Sequence, residues 1–545
     1  MIVRDSVVNA ATEPRAGTHA GEIRGALGTI RHDDAPRTSW RARVLTLLAV
    51  LGPGLIVMFG DNDAGAFGTY TQAAQNYGTT LMWTLLLLVP VLYVNQEMVL
   101  RLGAVSRVGH ARLILARFGT FWGAFSVIDL FLLNALTIVT EFIGISLGLD
   151  YFGLPKVAGV AIAALLVMAA ATTGSFRRFE RFAVVLCAGS LSLLPVLLYV
   201  HAPLGTSVHD LFVPGLPRHA ELSTVMLLII AIVGTTIAPW QLFFQQSYVI
   251  DKRITTRFLN YERWDLVIGI VFVMIGALAM ISFTAGAFAG RPEFGQFQDA
   301  GAVAHGIAKY AGRLPGALFA IALIDASILG AAAVSLSTAY AIGDVLRFRH
   351  SLHTNVTEAP LFYLIYAGLV ALAAALVVVP GTPLGLLTNA VQTLAGILLP
   401  SATVFLLLLS NDRAVLGPWA NTRRTNVFTA IVIAALVMLS VILTASVLYP
   451  SISGSQIVTI LVAGTAFTVA IGVWMAASRT GRLHAARTRH ARARRDTWQM
   501  PPLEKLPPAQ LTPLNRLWLI VLRGYLIVAV ALVVVRVVQI ALHQG

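Results

Sequence analysis

Long apolar stretches recur along almost the whole chain, and short polar segments separate them. Twelve stretches are long enough to cross the roughly 30 Å of hydrocarbon in a bilayer. These predicted spans lie at 44–66, 80–100, 122–149, 157–174, 183–200, 222–250, 265–289, 315–343, 361–379, 387–409, 426–449 and 456–477. A thirteenth stretch, 517–541, contains Arg523 and Arg536, so it fits either a span or an amphipathic helix on the membrane surface. The pattern predicts an all-α polytopic membrane protein with about 11 to 13 spans.

The composition supports this prediction. Hydrophobic residues make up 57% of the 545 residues, charged residues make up 12%, and the mean hydropathy is +0.78. Such values lie outside the range of soluble globular proteins. The one cysteine, Cys187, excludes an internal disulfide framework and a thiolate metal cluster. No nucleophile–base pair or phosphate-binding glycine loop stands out, so we do not expect an enzyme.

The basic residues indicate a membrane topology. The net charge of +14 would suit nucleic-acid binding, but the arginines concentrate in the even-numbered connections between spans. These connections carry Arg101, Arg107, Arg112, Arg117, Arg177, Arg178, Arg181, Lys252, Arg253, Arg257, Arg263, Arg347, Arg349, Arg413, Arg423 and Arg424. The opposite loops carry only Lys156, Arg218, Arg291, Lys309 and Arg313. The positive-inside rule therefore predicts a cytoplasmic N-terminus and no nucleic-acid partner.

The spans divide the chain into two similar halves with flanking segments. We expect a disordered cytoplasmic segment at 1–43, a first five-span unit at 44–200, a second at 222–409 and two further spans within 426–477. A basic and proline-rich cytoplasmic linker, 478–516, leads to the C-terminal helix at 517–541. Residues 1–43 do not resemble a cleaved signal peptide, and together with the arginine bias this suits a bacterial inner membrane.

Two spans are interrupted at matching positions of the two halves. Span 1 contains "GDNDAGAFG" at 60–68, where glycines and short polar side chains interrupt an apolar run. Span 6 contains "GTTIAPWQLFFQQS" at 234–247, where Pro239 removes a backbone donor and frees carbonyls in the preceding turn. Broken helices at corresponding positions predict an inverted-repeat transporter with a binding site near the membrane midplane.

Asp61 and Asp63 are the first candidate cation ligands, because a carboxylate at the bilayer centre is costly unless it is paired, hydrated or bound to a cation. An extended segment would aim residues two apart in the same direction, toward one ion. The carbonyl of Ala238 and the amide oxygen of Gln241 would add the oxygen ligands that hard cations prefer. Alternatively, one aspartate caps the helix that follows the break.

Other polar residues also lie within predicted spans. Gln392 in span 10 is a further candidate metal ligand. Glu141 in span 3 is either part of an ion or proton path or a structural hydrogen-bond partner.

Six segments resemble, in order, those of the Nramp-type divalent metal transporters. They read "GPGLIVMFGDNDAGAFGTYTQAAQNYG", "RLGAVSRVGHARLILARFG", "TEFIGISLGL", "IAPWQLFFQQSYV", "VQTLAGILLP" and "SNDRAVLGPWANTRRTN", and they cover roughly residues 45–450. The resemblance implies a LeuT-like fold of two inverted five-span repeats with extra C-terminal helices. It also implies a metal site between the broken spans 1 and 6.

The chain departs from the family pattern at that site. The family's Asp-Pro-Gly-Asn motif reads "DAGA" from Asp63, so the aspartate is kept and the asparagine ligand is lost. The family's Met-Pro-His-Asn motif reads "APWQ" from Ala238, so the methionine ligand is absent. A further family histidine falls at Gln245, and an aspartate tied to proton movement falls at Ile138.

These departures imply a harder and roomier metal site. Thioether sulfur favours Mn²⁺, Fe²⁺ and heavier metals over Mg²⁺ and Ca²⁺, so its replacement by Ala238 removes that discrimination. The missing proton carriers imply transport without proton coupling. Both features are similar to those of the Nramp-related magnesium transporters, so we expect uptake of Mg²⁺, with Mn²⁺ as a possible second substrate.

Two other functions stay open at this point. One is proton-coupled import of Mn²⁺ or Fe²⁺, with Asp61 compensating for the lost methionine and Glu141 carrying protons. The other is transport of an amino acid or amine, with Trp240 packing against the organic substrate, because the same fold carries such substrates; otherwise Trp240 fills volume. We expect no cofactor and no obligatory protein partner, only the transported ion and the bilayer.

Overall fold

The computed structural model describes residues 21–31, 37–217, 220–379, 384–448, 452–478 and 500–509, together with positions 495, 498, 519, 520, 522 and 524. Within these residues the protein is almost entirely helical apart from one small β-hairpin. The hairpin and the helices that follow it up to the end of the first half are β1 (Glu22–Arg24), β2 (Thr29–Arg31), α1 (Trp40–Val50), α2 (Pro53–Phe59), α3 (Ala64–Tyr77), α4 (Trp83–Ser106), α5 (His110–Phe118), α6 (Thr120–Tyr151), α7 (Lys156–Thr172), α8 (Phe176–Gly189), α9 (Leu193–Tyr199) and α10 (Leu204–Phe212). The remaining helices are α11 (Leu222–Thr236), α12 (Pro239–Asp251), α13 (Leu259–Phe288), α14 (Ala300–Ala311), α15 (Arg313–Leu346), α16 (Pro360–Val378), α17 (Leu384–Ser410), α18 (Arg413–Leu416), α19 (Arg423–Leu448) and α20 (Gly454–Ser478).

The helices agree with the predicted spans. Within the described residues, nine helical segments are long and apolar enough to cross a membrane, or ten if the bent pair α1 and α2 forms one span. Predicted span 4 is the shorter helix α7, and predicted span 12 lies within α20. Most of 517–541 lies outside the described residues, so the predicted thirteenth span stays a prediction.

Span 1 is divided into three helices. The first bend separates α1 from α2 by 51°, at Gly52 and Pro53. Gly52 has φ of +155°, and Pro53 occupies the first position of α2, where its missing N–H costs no helical hydrogen bond. The second break covers residues 60–63, before α3 begins at Ala64.

Span 6 contains the second predicted interruption. Helix α11 ends at Thr236, and Ile237 and Ala238 leave the helical conformation with ψ of 83° and 143°. Pro239 then begins α12, again at the position where proline fits best. The structure therefore confirms the predicted breaks in spans 1 and 6.

The broken helices lie within a packed bundle. Spans 3 and 8, helices α6 and α15, form the most extensive helix pair. Helix α12 packs on α4 and α15, α2 packs on α13, and α11 packs on α17. The non-helical backbone at both breaks is thereby enclosed by protein, as membrane structures require.

The expectation of disorder at 1–43 can be compared with the structure only at 21–31 and 37–43, because residues 1–20 and 32–36 lie outside the described residues. Residues 22–31 form an antiparallel hairpin in which Ile23 pairs with Ile30 and both side chains are buried. Its turn packs directly on α1. A Cβ atom built on Gly25 would lie 2.1 Å from the Ala49 carbonyl oxygen, so there is no room for a side chain at this position. The expectation was wrong for residues 22–31. Their short alternating pattern forms a hairpin only because helices from other parts of the chain bury one of its faces, and the local sequence does not show those helices.

Buried charges hold the hairpin and the first bend together. Lys252 Nζ, at the end of α12, lies 2.6 Å from Glu180 Oε1 and donates to the Val50 and Leu51 carbonyls at 2.6 and 2.9 Å. The other carboxylate oxygen of Glu180 accepts the Ala26 N–H of the hairpin turn, at 2.5 Å. Spans 1, 5 and 6 therefore meet at one ion pair that is fully buried.

Asp265 of span 7 binds the same bend. Its carboxylate accepts hydrogen bonds from the N–H groups of Gly52, Gly54 and Leu55, at 3.1, 2.7 and 3.2 Å. These groups belong to the start of α2, where backbone donors have no helical acceptor. We call Lys252, Glu180, Asp265 and their backbone contacts the inner latch.

Replacing Lys252 by methionine should destabilise the protein strongly, because Glu180 would lose its counter-ion in a buried place. Breaking such a pair from one side costs about 3–5 kcal/mol. Thermal unfolding in detergent should show a clearly lower midpoint for Lys252→Met. Lys309→Met is the matched control, because Lys309 forms an exposed pair with Glu293 at 2.8 Å. Equal midpoints for the two variants would contradict a stabilising inner latch.

Candidate metal site

The break in span 1 is a turn rather than an extended segment. The N–H groups of Asp61 and Asn62 donate to the carbonyls of Met58 and Phe59, both at 3.2 Å, so a tight turn continues α2. Asp63, after this turn, is extended, with φ of −77° and ψ of −174°. The expectation that an extended backbone aims both carboxylates the same way is therefore wrong.

Asp63 lies at the N-terminus of α3. One carboxylate oxygen accepts the Ala66 N–H at 2.9 Å, so Asp63 caps this helix, as the alternative interpretation proposed. Glu141 from span 3 reaches the same helix end, where its Oε2 accepts the Ala64 N–H at 3.2 Å. The two side chains lie close together, because a Cβ atom built on Gly330 would come within 2.7 Å of Glu141 Oε2 and 3.1 Å of Asp63 Cβ. A helix N-terminus favours negative charge, so this end can hold carboxylates inside the membrane.

Asp61 is directed toward span 6 instead. Its Oδ1 accepts a hydrogen bond from the side-chain Nε2 of Gln241, and its Oδ2 is buried with no hydrogen-bond partner. The Gln241 oxygen accepts a hydrogen bond from Gln96 Nε2, at 2.9 Å. The Gln241 oxygen therefore faces span 2 in this structure, and its predicted role as a cation ligand stays a prediction.

Sequence reasoning missed Gln96. It lies in the middle of span 2 and is completely buried. The signal was available in "YVNQEM", because an amide inside a membrane span needs a polar partner. The identity of that partner depends on which helix packs against span 2, and the sequence does not contain this information.

Gln392 of span 10 approaches Asp63 across Gly65. A Cβ atom built on Gly65 would lie 1.7 Å from Gln392 Nε2 and 3.1 Å from Asp63 Oδ1. Because glycine has no side chain, the Gln392 amide can occupy the space beside Asp63. The structure places this predicted ligand beside the span-1 break.

The remaining predicted residues lie on the span-6 half of the site. The Ala238 carbonyl accepts the Gln241 N–H at 3.2 Å, which uses one of its two lone pairs, and its predicted role as a cation ligand stays a prediction. Trp240 is buried, packs edge-on against Phe244 and touches Gly60. Gln245, one turn beyond Gln241, is fully buried, and neither atom of its amide has a hydrogen-bond partner.

The donor set consists of oxygen and amide groups. Among the described residues, no cluster of three or more His, Cys, Asp or Glu side chains could hold a metal ion. Two aspartates, Asp61 and Asp63, instead lie within the break, with the amides of Gln241 and Gln392 beside them. Such a set suits a cation that keeps part of its water shell.

A narrow cavity lies beside α3, on the side away from the inner latch. Its lining includes Ala64, Gly68, Gly144, Asp299 and Thr388, and Asp299 caps helix α14. Helices α3, α6 and α14 therefore contribute to the wall of this cavity.

Comparison with known proteins identifies the family. A family profile described as "Natural resistance-associated macrophage protein-like" matches residues 54–446, most of the chain. The chain belongs to the Nramp family. This family assignment confirms the resemblance found in the six sequence segments.

Individual Nramp relatives are distant in sequence. The chain is 26% identical over 396 residues to the divalent metal cation transporter MntH of Burkholderia ambifaria, covering 70% of this chain and 85% of that one. It is 29% identical over 211 residues to the Natural resistance-associated macrophage protein 2 homolog of Dictyostelium discoideum, covering 38% and 33% of the two chains.

A solved structure confirms the fold. The manganese transporter of Eremococcus coleocola superposes with a TM-score of 0.60 at 20% identity, covering 83% of this chain and 97% of that one. The predicted all-α, LeuT-like polytopic architecture is therefore correct.

Gly65→Ala should lower metal uptake without unfolding the protein. Alanine is a better helix former than glycine, but its methyl group would displace the Gln392 amide from the Asp63 side of the site. We expect the KM for the transported cation to rise about 10-fold or more. Uptake into proteoliposomes and the thermal midpoint in detergent are the two measurements.

Gly205→Ala is the matched control for this variant. Gly205 is also the second residue of a helix, α10, and a Cβ atom there meets nothing within 4 Å. An unchanged KM for Gly65→Ala would show that the Gln392 amide is not needed beside Asp63.

Proposed function

We propose that this protein imports divalent metal cations, chiefly Mg²⁺ and secondarily Mn²⁺, across a bacterial inner membrane without proton coupling. The observation that carries the proposal is the donor set at the span-1 and span-6 breaks. It contains the carboxylates of Asp61 and Asp63 and neighbouring amides, and alanine stands at position 238, where the family pattern has methionine. Curated relatives are named divalent metal cation transporters, and the structural neighbour is named a manganese transporter.

The preference for Mg²⁺ follows from ligand hardness. Mg²⁺ binds oxygen ligands and retains several waters, whereas thioether sulfur strengthens binding of softer ions. Alanine at position 238 provides no sulfur, and its small side chain leaves room for a hydrated ion. Asp61 adds a carboxylate that compensates for the positive charge of such an ion.

The absence of proton coupling follows from the residues around the break. The site has the amide of Gln245 where the family has a histidine, and an amide does not titrate. Ile138 is buried and apolar where the family has an aspartate. A divalent ion entering a negative interior gains about 4.6 kcal/mol per 100 mV, which drives uptake without protons.

Proton-coupled import of Mn²⁺ or Fe²⁺ is the second candidate. The observation in its favour is that Glu141 and Asp63 both accept backbone N–H groups at the same end of α3, because two neighbouring carboxyl groups can share and transfer a proton. The organic-substrate alternative has less support, because the Trp240 ring is enclosed by Gly60 and Phe244.

Reconstitution into proteoliposomes tests the transport mode. Under an inside-negative potential, we expect Mg²⁺ entry, reported by an interior metal dye, with no acidification reported by an interior pH dye. Asp63→Ala should abolish the flux, because it removes the carboxylate at the start of α3. Mn²⁺ entry with acidification and without Mg²⁺ flux would establish the proton-coupled alternative. If neither ion enters the proteoliposomes, metal transport is contradicted.

Ala238→Met should shift the substrate preference toward Mn²⁺. The new thioether would offer a soft ligand at the span-6 break and take up the space of a water molecule. We expect the ratio of Mg²⁺ to Mn²⁺ transport, measured as kcat/KM for each ion, to fall about 10-fold. Ala238→Leu controls for side-chain size, and an equal effect of leucine would argue against the hardness explanation.

A further inference from the structure

A ladder of two amides leads from Asp61 into span 2. Gln241 Nε2 donates to Asp61 Oδ1, and Gln96 Nε2 donates to Gln241 Oε1 at 2.9 Å. All three side chains are at most 1% exposed. Three separate spans are therefore connected by two consecutive side-chain hydrogen bonds in the middle of the protein.

In its ionised form, Asp61 fixes the direction of this ladder. An ionised carboxylate only accepts hydrogen bonds, so Gln241 must present its NH₂ group to Asp61. The Gln241 oxygen then points the opposite way, toward span 2. Gln96 must therefore present its own NH₂ group, since a second oxygen there would repel the first.

The ladder leaves one carboxylate oxygen of Asp61 available. Oδ2 is buried and has no hydrogen-bond partner, a costly state for a charged group in a membrane protein. A bound cation or its water shell would satisfy this oxygen. Without Gln96, the Gln241 amide would be free to turn its oxygen toward Asp61 or toward the ion.

We propose that Gln96 is a positioning residue for cation binding, which acts through Gln241 to hold Asp61 with Oδ2 directed at the ion. Gln241 is then an orienting group for Asp61 and not a cation ligand. The inference rests on the proposed function, because it concerns how that site binds its divalent cation. Groups that orient ligands in this way typically contribute 10- to 100-fold to metal affinity.

Gln96→Leu tests the ladder, because leucine has a similar size and makes no hydrogen bond. In proteoliposomes we expect the KM for Mg²⁺ to rise about 10- to 100-fold while the maximal rate changes less. Equilibrium Mg²⁺ binding to the detergent-solubilised protein, measured by calorimetry, should weaken by the same factor. If Gln96→Leu fails to fold, Gln96→Met replaces it with an unbranched side chain.

Asn95→Leu is the matched control. Asn95 precedes Gln96 on α4, is 1% exposed and carries the same type of group, but its Nδ2 has no hydrogen-bond partner. We expect this variant to keep the wild-type KM for Mg²⁺. An equal rise in KM for both variants would show a general packing effect and overturn the ladder.

A double variant of Gln96→Leu and Asp61→Asn tests whether Gln96 positions Asp61 or only supports the structure. Asp61→Asn alone should weaken Mg²⁺ binding, and adding Gln96→Leu should then have little further effect, because the group that Gln96 orients has lost its charge. Independent, multiplying effects of the two changes would overturn the proposal.

The outcomes for the ladder and for the proposed function are distinguishable. If Asp63→Ala abolishes metal flux while Gln96→Leu leaves KM unchanged, the ladder is wrong and metal transport stands. If Asp61→Asn leaves Mg²⁺ binding unchanged in a protein that transports Mg²⁺, the ladder is likewise overturned. Failure of the wild-type protein to transport any divalent ion would contradict the proposed function itself.

Discussion

The centre of this protein depends on holding carboxylates inside a membrane at the open end of a helix. Asp63 and Glu141 both accept backbone N–H groups from the first turn of α3, where a helix has donors without helical acceptors. The break in span 1 creates these donors at the same place as the carboxylates that use them. The carboxylates and the unpaired backbone N–H groups therefore stabilise each other, whereas either group without a partner would be costly inside a membrane.

The surroundings of these carboxylates are built from amides. Gln96, Gln241, Gln245 and Gln392 come from three different spans, and each lies fully or almost fully buried. Amides can bind an ion or hold the waters around it without adding charge and without accepting protons in the physiological range. Carboxylates surrounded by amides therefore suit a hard, hydrated cation, and they differ from a metal site that uses sulfur and imidazole ligands.

The same design recurs at the inner latch, where a bend in span 1 again leaves backbone groups without partners. Lys252 binds the free carbonyls before the bend, and Asp265 binds the free N–H groups after it. The N-terminal hairpin adds a contact to Glu180. The first helix of span 1 is thereby held against spans 5, 6 and 7 on one side of the central site.

Much of this architecture could be predicted from the sequence. Helix number and approximate bounds follow from hydrophobicity, because each span must satisfy its own backbone in hydrocarbon. The breaks at Asp63 and Pro239 follow from local chemistry, since glycine, proline and short polar side chains disrupt helices within a turn or two. Glu141 and Gln392 were recognisable as candidates because polar residues are expensive in a membrane.

Tertiary structure alone decided how these groups are paired. The sequence suggested that Asp61 and Asp63 face one ion, but the turn at 60–63 directs one toward Gln241 and the other toward its own helix. Gln96 and Gln241 are 145 positions apart, as are many other pairs that never meet. Hydrogen bonds act over about 3 Å, so their partners depend on helix packing, whereas burial and helix breaking depend on residues close in sequence.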